Sequence, residues 1–142
     1  MFRVKFYEPN ENKPMKFAVI ASRYEGKWVF CKHKNRDTYE FPGGHWEKGE
    51  TIEETGRREL WEETGAEDYI LKPVCIYSVL RNSGEEETFG MLFYAEIKSF
   101  GQLPDYEIQK VELFTELPES WTYPEIQPIL LKRVRLYIEE KC

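Results

Sequence analysis

Glu59, Glu62 and Glu63 stand at positions i, i+3 and i+4, and on an α-helix that spacing projects all three carboxylates from one face. Like charges so placed repel, at roughly 0.2–0.5 kcal/mol per pair on an exposed helix. A divalent cation would remove that penalty and turn the cluster into a site. Ligation by carboxylate oxygens alone favours a hard ion, Mg²⁺ or Mn²⁺. Glu50 lies just upstream and can fold back towards the three, while Arg58 can grip one carboxylate in a bidentate pair. The plainer reading is a solvated acidic face. Between Ile52 and Thr64 only Arg57 and Arg58 are basic, too few to bridge so many glutamates. Spacing alone leaves both readings open.

A helix is needed to hold these side chains, and its limits are written in the chain. Thr51 and Glu54 have the T-x-x-E pattern of a capping box, which starts a helix near Ile52. Gly65 stands where a left-handed residue ends one after Thr64. Pro42-Gly43-Gly44 makes a tight loop ahead of it. The apolar stripe is thin, with Leu60 its main member and Ile52 at the start. On either side lie strand-like runs: Phe2, Val4 and Phe6 alternating with Arg3 and Lys5, then Phe17–Ser22 and Trp28–Lys32 about a Glu25-Gly26 turn. Ile70–Leu80 and Thr88–Ile97 follow, separated by the polar segment 81–87, and a short strand at Val111–Phe114. Ile126, Leu130, Val134 and Tyr137 recur at helical spacing, with regular helix expected mainly after Pro128. Strands around a central helix, with another helix at the end, predict an α/β fold in which helices cover a mixed sheet.

Gly44, Glu50, Arg58, Glu59, Leu60, Glu62, Glu63, Gly65 and Ala66 match the pattern G-x5-E-x7-R-E-U-x-E-E-x-G-U, with U a bulky aliphatic residue. The segment resembles the box of the Nudix hydrolases. Seven positions demand one residue type each, so a chance match at a given start is on the order of one in a billion. Ala66 is smaller than the usual final residue, a departure that touches packing and not chemistry. The box covers residues 44–66, and the flanking strand pattern agrees with the family over most of the chain. The resemblance implies one Nudix domain over residues 1–142, an α/β/α sandwich with a mixed sheet between helices.

It also implies roles. Glu59, Glu62 and Glu63 would be metal ligands, with the Gly43 carbonyl a further one. Glu50 would orient the cluster and Arg58 would hold a glutamate in place. A water would attack phosphorus in a phosphoanhydride, with Mg²⁺ (or Mn²⁺) stabilising charge on the bridging oxygens. The general base would be Glu59, Glu62 or a loop carboxylate, Glu107. Lys32, Lys34 and Arg36 could neutralise substrate phosphates or be plain surface cations. His33 and His45 are read as surface or hydrogen-bonded histidines, and Trp46 as a packing residue or a base-stacking one.

The EFPGG run at 40–44 and the small size resemble MutT-type nucleoside triphosphate hydrolases, which release a nucleoside monophosphate and pyrophosphate. The substrate expected is a modified nucleoside triphosphate. Two alternatives stay open: an RNA 5′-end pyrophosphohydrolase, and a non-catalytic sensor or nucleotide-binding module. A formal net charge of −6 argues against coating duplex nucleic acid or an anionic membrane. Three widely spaced cysteines, Cys31, Cys75 and Cys142, show no disulfide or metal pattern and fit a reducing cytoplasm. The N-terminal alternation reads as a strand and not as a leader. A monomer or homodimer is expected.

Overall fold

The computed structural model describes residues 3–80, 86–104 and 108–141. Among them lie strands β1 (Arg3–Tyr7), β2 (Met15–Tyr24), β3 (Lys27–His33) and β4 (Gly43–His45), then helix α1 (Ile52–Thr64). Strands β5 (Ala66–Leu80), β6 (Thr88–Phe100) and β7 (Ile108–Phe114) and helix α2 (Gln127–Lys141) complete the order. The sheet runs β1-β5-β6-β2-β3-β7, with β4 paired to β2. It is mixed: β2 and β6 run parallel, with Ala18 opposite Met91 and Tyr24 opposite Ile97, while the other pairings are antiparallel.

Period-two alternation divides the core between the two faces of the sheet. On β2, Ala18 and Ile20 face one side, where Val29, Met91, Phe93 and Ala95 join Leu60 of α1. Ala21, with Phe17 and Val19 beside it, faces the other, where Phe30, Phe41 and Leu92 meet Leu130, Leu131 and Val134 of α2. One helix therefore covers each face, which is the α/β/α sandwich expected. The β2–β3 hairpin turns at Glu25 (φ 51°) and Gly26 (φ 80°), the two positive φ values that a tight hairpin requires.

Strand β4 forms at Gly43–His45, where the sequence predicts a tight loop, and pairs with β2; β5 also starts earlier than expected. Strand β5 begins immediately after the αL residue Gly65, at Ala66, and its register against β6 shifts between Pro73 and Cys75. A proline interrupts a ladder, and a bulge accommodates it. Helix α2 spans Gln127–Lys141 and so lies mainly after Pro128, as expected; Pro128 is accommodated because the first helical turn has no use for its missing N–H.

Candidate active site

Helix α1 starts and stops as its caps dictate. The Thr51 side chain accepts from Glu54 N at 3.1 Å, and the Glu54 carboxylate accepts from Thr51 N at 2.8 Å. Gly65, at φ 77°, closes the other end with its N–H on Trp61 O. The helix is thin in apolar residues because it packs through small ones. Thr55, Gly56, Leu60, Glu63 and Thr64 are its buried residues, and a Cβ on Gly56 would meet the Phe93 ring at 3.0 Å. Close approach to the sheet draws the glutamate face up against the glycine loop.

Arg58 organises that face. Its Nε donates to Glu50 Oε2 at 2.6 Å and its Nη2 to Glu50 Oε1 at 3.1 Å. Nη1 donates to Glu59 Oε1 at 2.6 Å and to Glu62 Oε2 at 3.0 Å, and Nη2 also reaches the His45 carbonyl. Glu50 further accepts from the Thr55 hydroxyl and from Glu47 N. Its carboxyl is held at about 2 by the Arg58 hydrogen bonds first, then those of Thr55 and Glu47. The same contacts, that to Glu50 foremost, push the Arg58 guanidinium up. Trp46 Nε1 donates to Glu50 O at 2.7 Å. Trp46 thus braces the loop, and its ring remains partly exposed.

Glu59 and Glu63 both lie against Gly43-Gly44. Gly43 N donates to Glu63 Oε1 at 2.8 Å, and a Cβ on Gly44 would fall 2.4 Å from the Glu59 carboxylate. Gly44 is glycine because the carboxylate occupies the space of a side chain. Glu63 Oε2 also lies 3.5 Å from His33 Nε2, which is 3.4 Å from Glu40 Oε2. Among the described residues, no three His, Cys, Asp or Glu side chains converge on one point tightly enough to hold an ion. Glu59 and Glu62 lean on Arg58 while Glu63 turns to Gly43. The donor chemistry nonetheless fits a hard divalent ion. One guanidinium hydrogen-bonds three carboxylates and lies 3.5 Å from a fourth, Glu47; it cannot neutralise them all, and every donor is an oxygen.

The family model for the NUDIX domain matches residues 12–129. The chain belongs to the Nudix family. The Bacillus subtilis protein YtkD, named as a candidate 8-oxo-dGTP diphosphatase, is 39% identical over 115 residues, covering 80% of this chain and 70% of that one. The Bacillus subtilis pyrophosphohydrolase BsRppH, a crystal structure, is 30% identical, with a TM-score of 0.79 over 96% of this chain and 90% of that one. The MutT NUDIX hydrolase of Burkholderia pseudomallei shares the fold, with a TM-score of 0.62 and 21% identity over 87% of this chain and 99% of that one.

Beside the box of this Nudix domain lies a cavity of about 250 Å³. Gly43, Gly44 and Glu40 form the wall nearest the box, and Phe17, Tyr77 and Tyr123 supply aromatic lining. Gln127, at the start of α2, completes it. Its Oε1 accepts from Phe41 N at 2.8 Å, so its amide orientation is fixed by a backbone donor. Among the described residues its Nε2 is bonded to nothing and is left to the cavity.

The basic residues fall unevenly. Arg36 Nη1 donates to Glu40 Oε1 at 3.2 Å, at the cavity wall. Lys32 is largely covered and lies 3.9 Å from Asp37, and Lys34 is exposed. Glu107 lies outside the described residues, as do 81–85. Glu87 accepts from the Ser78 and Tyr7 hydroxyls, which hold its carboxyl below the usual range. The residues that the motif did not reveal are Glu40, His33, Tyr77, Tyr123 and Gln127. They come from five places in the chain and meet only on folding; the EFPGG run was the one hint, for Glu40.

Proposed function

We propose that this Nudix hydrolase converts a modified nucleoside triphosphate to the nucleoside monophosphate and pyrophosphate, with Mg²⁺ (or Mn²⁺) as its ion. The observation that carries the reading is the adjacency of two sites at Gly43-Gly44. One side of the loop holds the box carboxylates, and the other is the wall of a cavity lined by aromatic rings. A phosphate chain bridging the two would place its nucleoside in the cavity and its anhydride at the carboxylates. Similarity to YtkD supports an oxidised guanine nucleotide within this class.

In this reading Glu59, Glu62 and Glu63 hold the ion, with the Gly43 carbonyl beside them. The ion supplies charge stabilisation on the bridging and leaving oxygens. Arg58 and Glu50 fix the carboxylates in place, and Glu59, Glu62 or Glu107 takes the proton from the attacking water. Arg36, with Lys32 and Lys34 further out, neutralises phosphate at the rim. The aromatic rings offer stacking area to a base, and the Gln127 Nε2 offers a donor to a base carbonyl. The proposed unit is one Nudix domain over residues 1–142, acting on small nucleotides as a monomer or homodimer in the cytoplasm. Buried free thiols at Cys31 and Cys75 suit a reducing compartment. Among the described residues no helix is long and apolar enough to cross a membrane.

The test is a substrate panel: canonical and 8-oxo nucleoside triphosphates, ADP-ribose, diadenosine polyphosphates and a 5′-triphosphorylated RNA, each with Mg²⁺, Mn²⁺ or EDTA. Turnover of the modified triphosphates above the others supports the reading. Preference for the RNA would move the assignment to 5′-end removal. Binding without turnover of any member would favour a sensor module, although every box glutamate is present.

A further inference from the structure

We infer that His33 is a positioning residue that ties the cavity wall to the box by bridging Glu40 and Glu63. The inference rests on the reading of Glu63 as part of the metal-binding face. Glu40 lines the cavity and Glu63 sits on α1, yet one imidazole nitrogen serves both. His33 Nε2 lies 3.4 Å from Glu40 Oε2 and 3.5 Å from Glu63 Oε2. Ionised carboxylate oxygens only accept, so a nitrogen that links two of them is one that carries hydrogen. Both distances lie beyond a normal hydrogen bond and within ion-pair range, so the imidazole faces the two carboxylates at nearly equal distance.

Both carboxylates are 6% exposed. Two buried like charges side by side are unfavourable unless a common donor joins them. Each is then fixed at its other oxygen. Glu40 Oε1 accepts from Arg36 Nη1 at 3.2 Å, while Glu63 Oε1 accepts from Gly43 N at 2.8 Å and is approached by the Cys31 thiol at 3.9 Å. A continuous chain therefore runs from the rim through Arg36, Glu40, His33 and Glu63 to Gly43. Its role is orientation: with the N–H in place, Glu63 holds one rotamer against the glycine loop, ready for its partners on α1. Without it the two carboxylates repel and Glu63 swings.

The test compares wild type with His33→Ala and His33→Gln at saturating Mg²⁺ and nucleotide, since the glutamine amide also donates from Nε2. Expected is a loss of about tenfold or more in kcat for His33→Ala, with KM changed by less than about threefold, and substantial recovery in His33→Gln. Metal-free ¹⁵N-histidine NMR supplies a readout apart from activity. The chain has two histidines, and the His33 ring should appear as the Nε2–H form, its signals moving in both Glu40→Gln and Glu63→Gln. A His33→Ala enzyme within about twofold of wild type in kcat, or a folded His33→Gln no better than His33→Ala, overturns the inference. So do His33 signals unmoved by either glutamine variant, a result that stands even where His33→Ala does not fold. Glu62→Gln separates the two claims. If it is fully active, the metal reading itself fails; if it is inactive while His33→Ala is normal, only the bridge fails.

Discussion

Arg58 grips Glu50 with two nitrogens, Nε at 2.6 Å from Oε2 and Nη2 at 3.1 Å from Oε1, and its remaining nitrogen holds Glu59 and Glu62. One planar guanidinium thus sets the positions of three carboxylates. A lysine would present a single ammonium and could not reproduce the fork. Arg58→Lys should therefore lose about tenfold or more in kcat, with a smaller effect on melting temperature, because a lysine keeps the positive charge among these largely covered carboxylates. Steady-state kinetics beside a thermal melt checks this. Unchanged kcat would remove Arg58 from the organising role.

The same pair sets an acid dependence. Glu50 is held at about 2 against an ordinary 4.5, by Arg58 first and then by Thr55 and Glu47 N. A lowered folded-state value means the contribution to stability is complete above the unfolded value and fades as pH falls from 4.5 through about 2. The difference in melting temperature between wild type and Glu50→Gln should be constant above about pH 4.5 and shrink towards pH 2. A difference that is independent of pH would contradict the pairing.

Adjacent glycines should fail in different ways. A Cβ at Gly44 falls on the Glu59 carboxylate at 2.4 Å, the end of a side chain, whereas one at Gly43 meets the Ala18 carbonyl at 2.5 Å, which is backbone. Gly44→Ala should fold and displace Glu59, costing up to about a hundredfold in kcat. Gly43→Ala should strain the β2–β4 pairing, at about 1–3 kcal/mol of stability. Denaturant unfolding and kinetics on both variants would show whether the losses separate; equal destabilisation would refute the distinction.

Much of this arrangement was legible before folding. The box spacing, the Thr51–Glu54 capping box and Gly65 place α1 and its carboxylates, because each acts within a few residues. The near-continuous apolar runs of β2 and β6 show that both faces are buried, but they do not disclose which strands pair. The parallel β2–β6 contact joins residues more than seventy apart and leaves no local mark. The cavity was illegible for the same reason. Nothing local marks Gln127 until its side-chain amide oxygen is seen accepting from Phe41 N. His33 reads as a surface or hydrogen-bonded histidine until Glu40 and Glu63 are seen on either side of it. The shift at Pro73/Cys75 was hinted at by the proline, yet the register it sets depends on β6.

The docking of α1 rests on little apolar area, so each part matters. Leu60 is fully buried against the sheet, and Leu60→Ala should cost about 2–5 kcal/mol. Activity at a temperature where the variant is still folded should fall as well, since α1 carries the carboxylates. A loss below about 1 kcal/mol in denaturant unfolding would mean that the loop contacts, and not Leu60, hold the helix.

The central claim is metal-dependent anhydride cleavage at the box, and product analysis of Glu62→Gln and Glu63→Gln beside wild type tests it most directly. With 8-oxo-dGTP and Mg²⁺, ³¹P NMR should show wild type releasing pyrophosphate and the monophosphate. EDTA should stop the reaction, and both folded variants should be slower by about a hundredfold or more. Release of inorganic phosphate and a diphosphate, or full activity in either variant or in EDTA, would contradict the account.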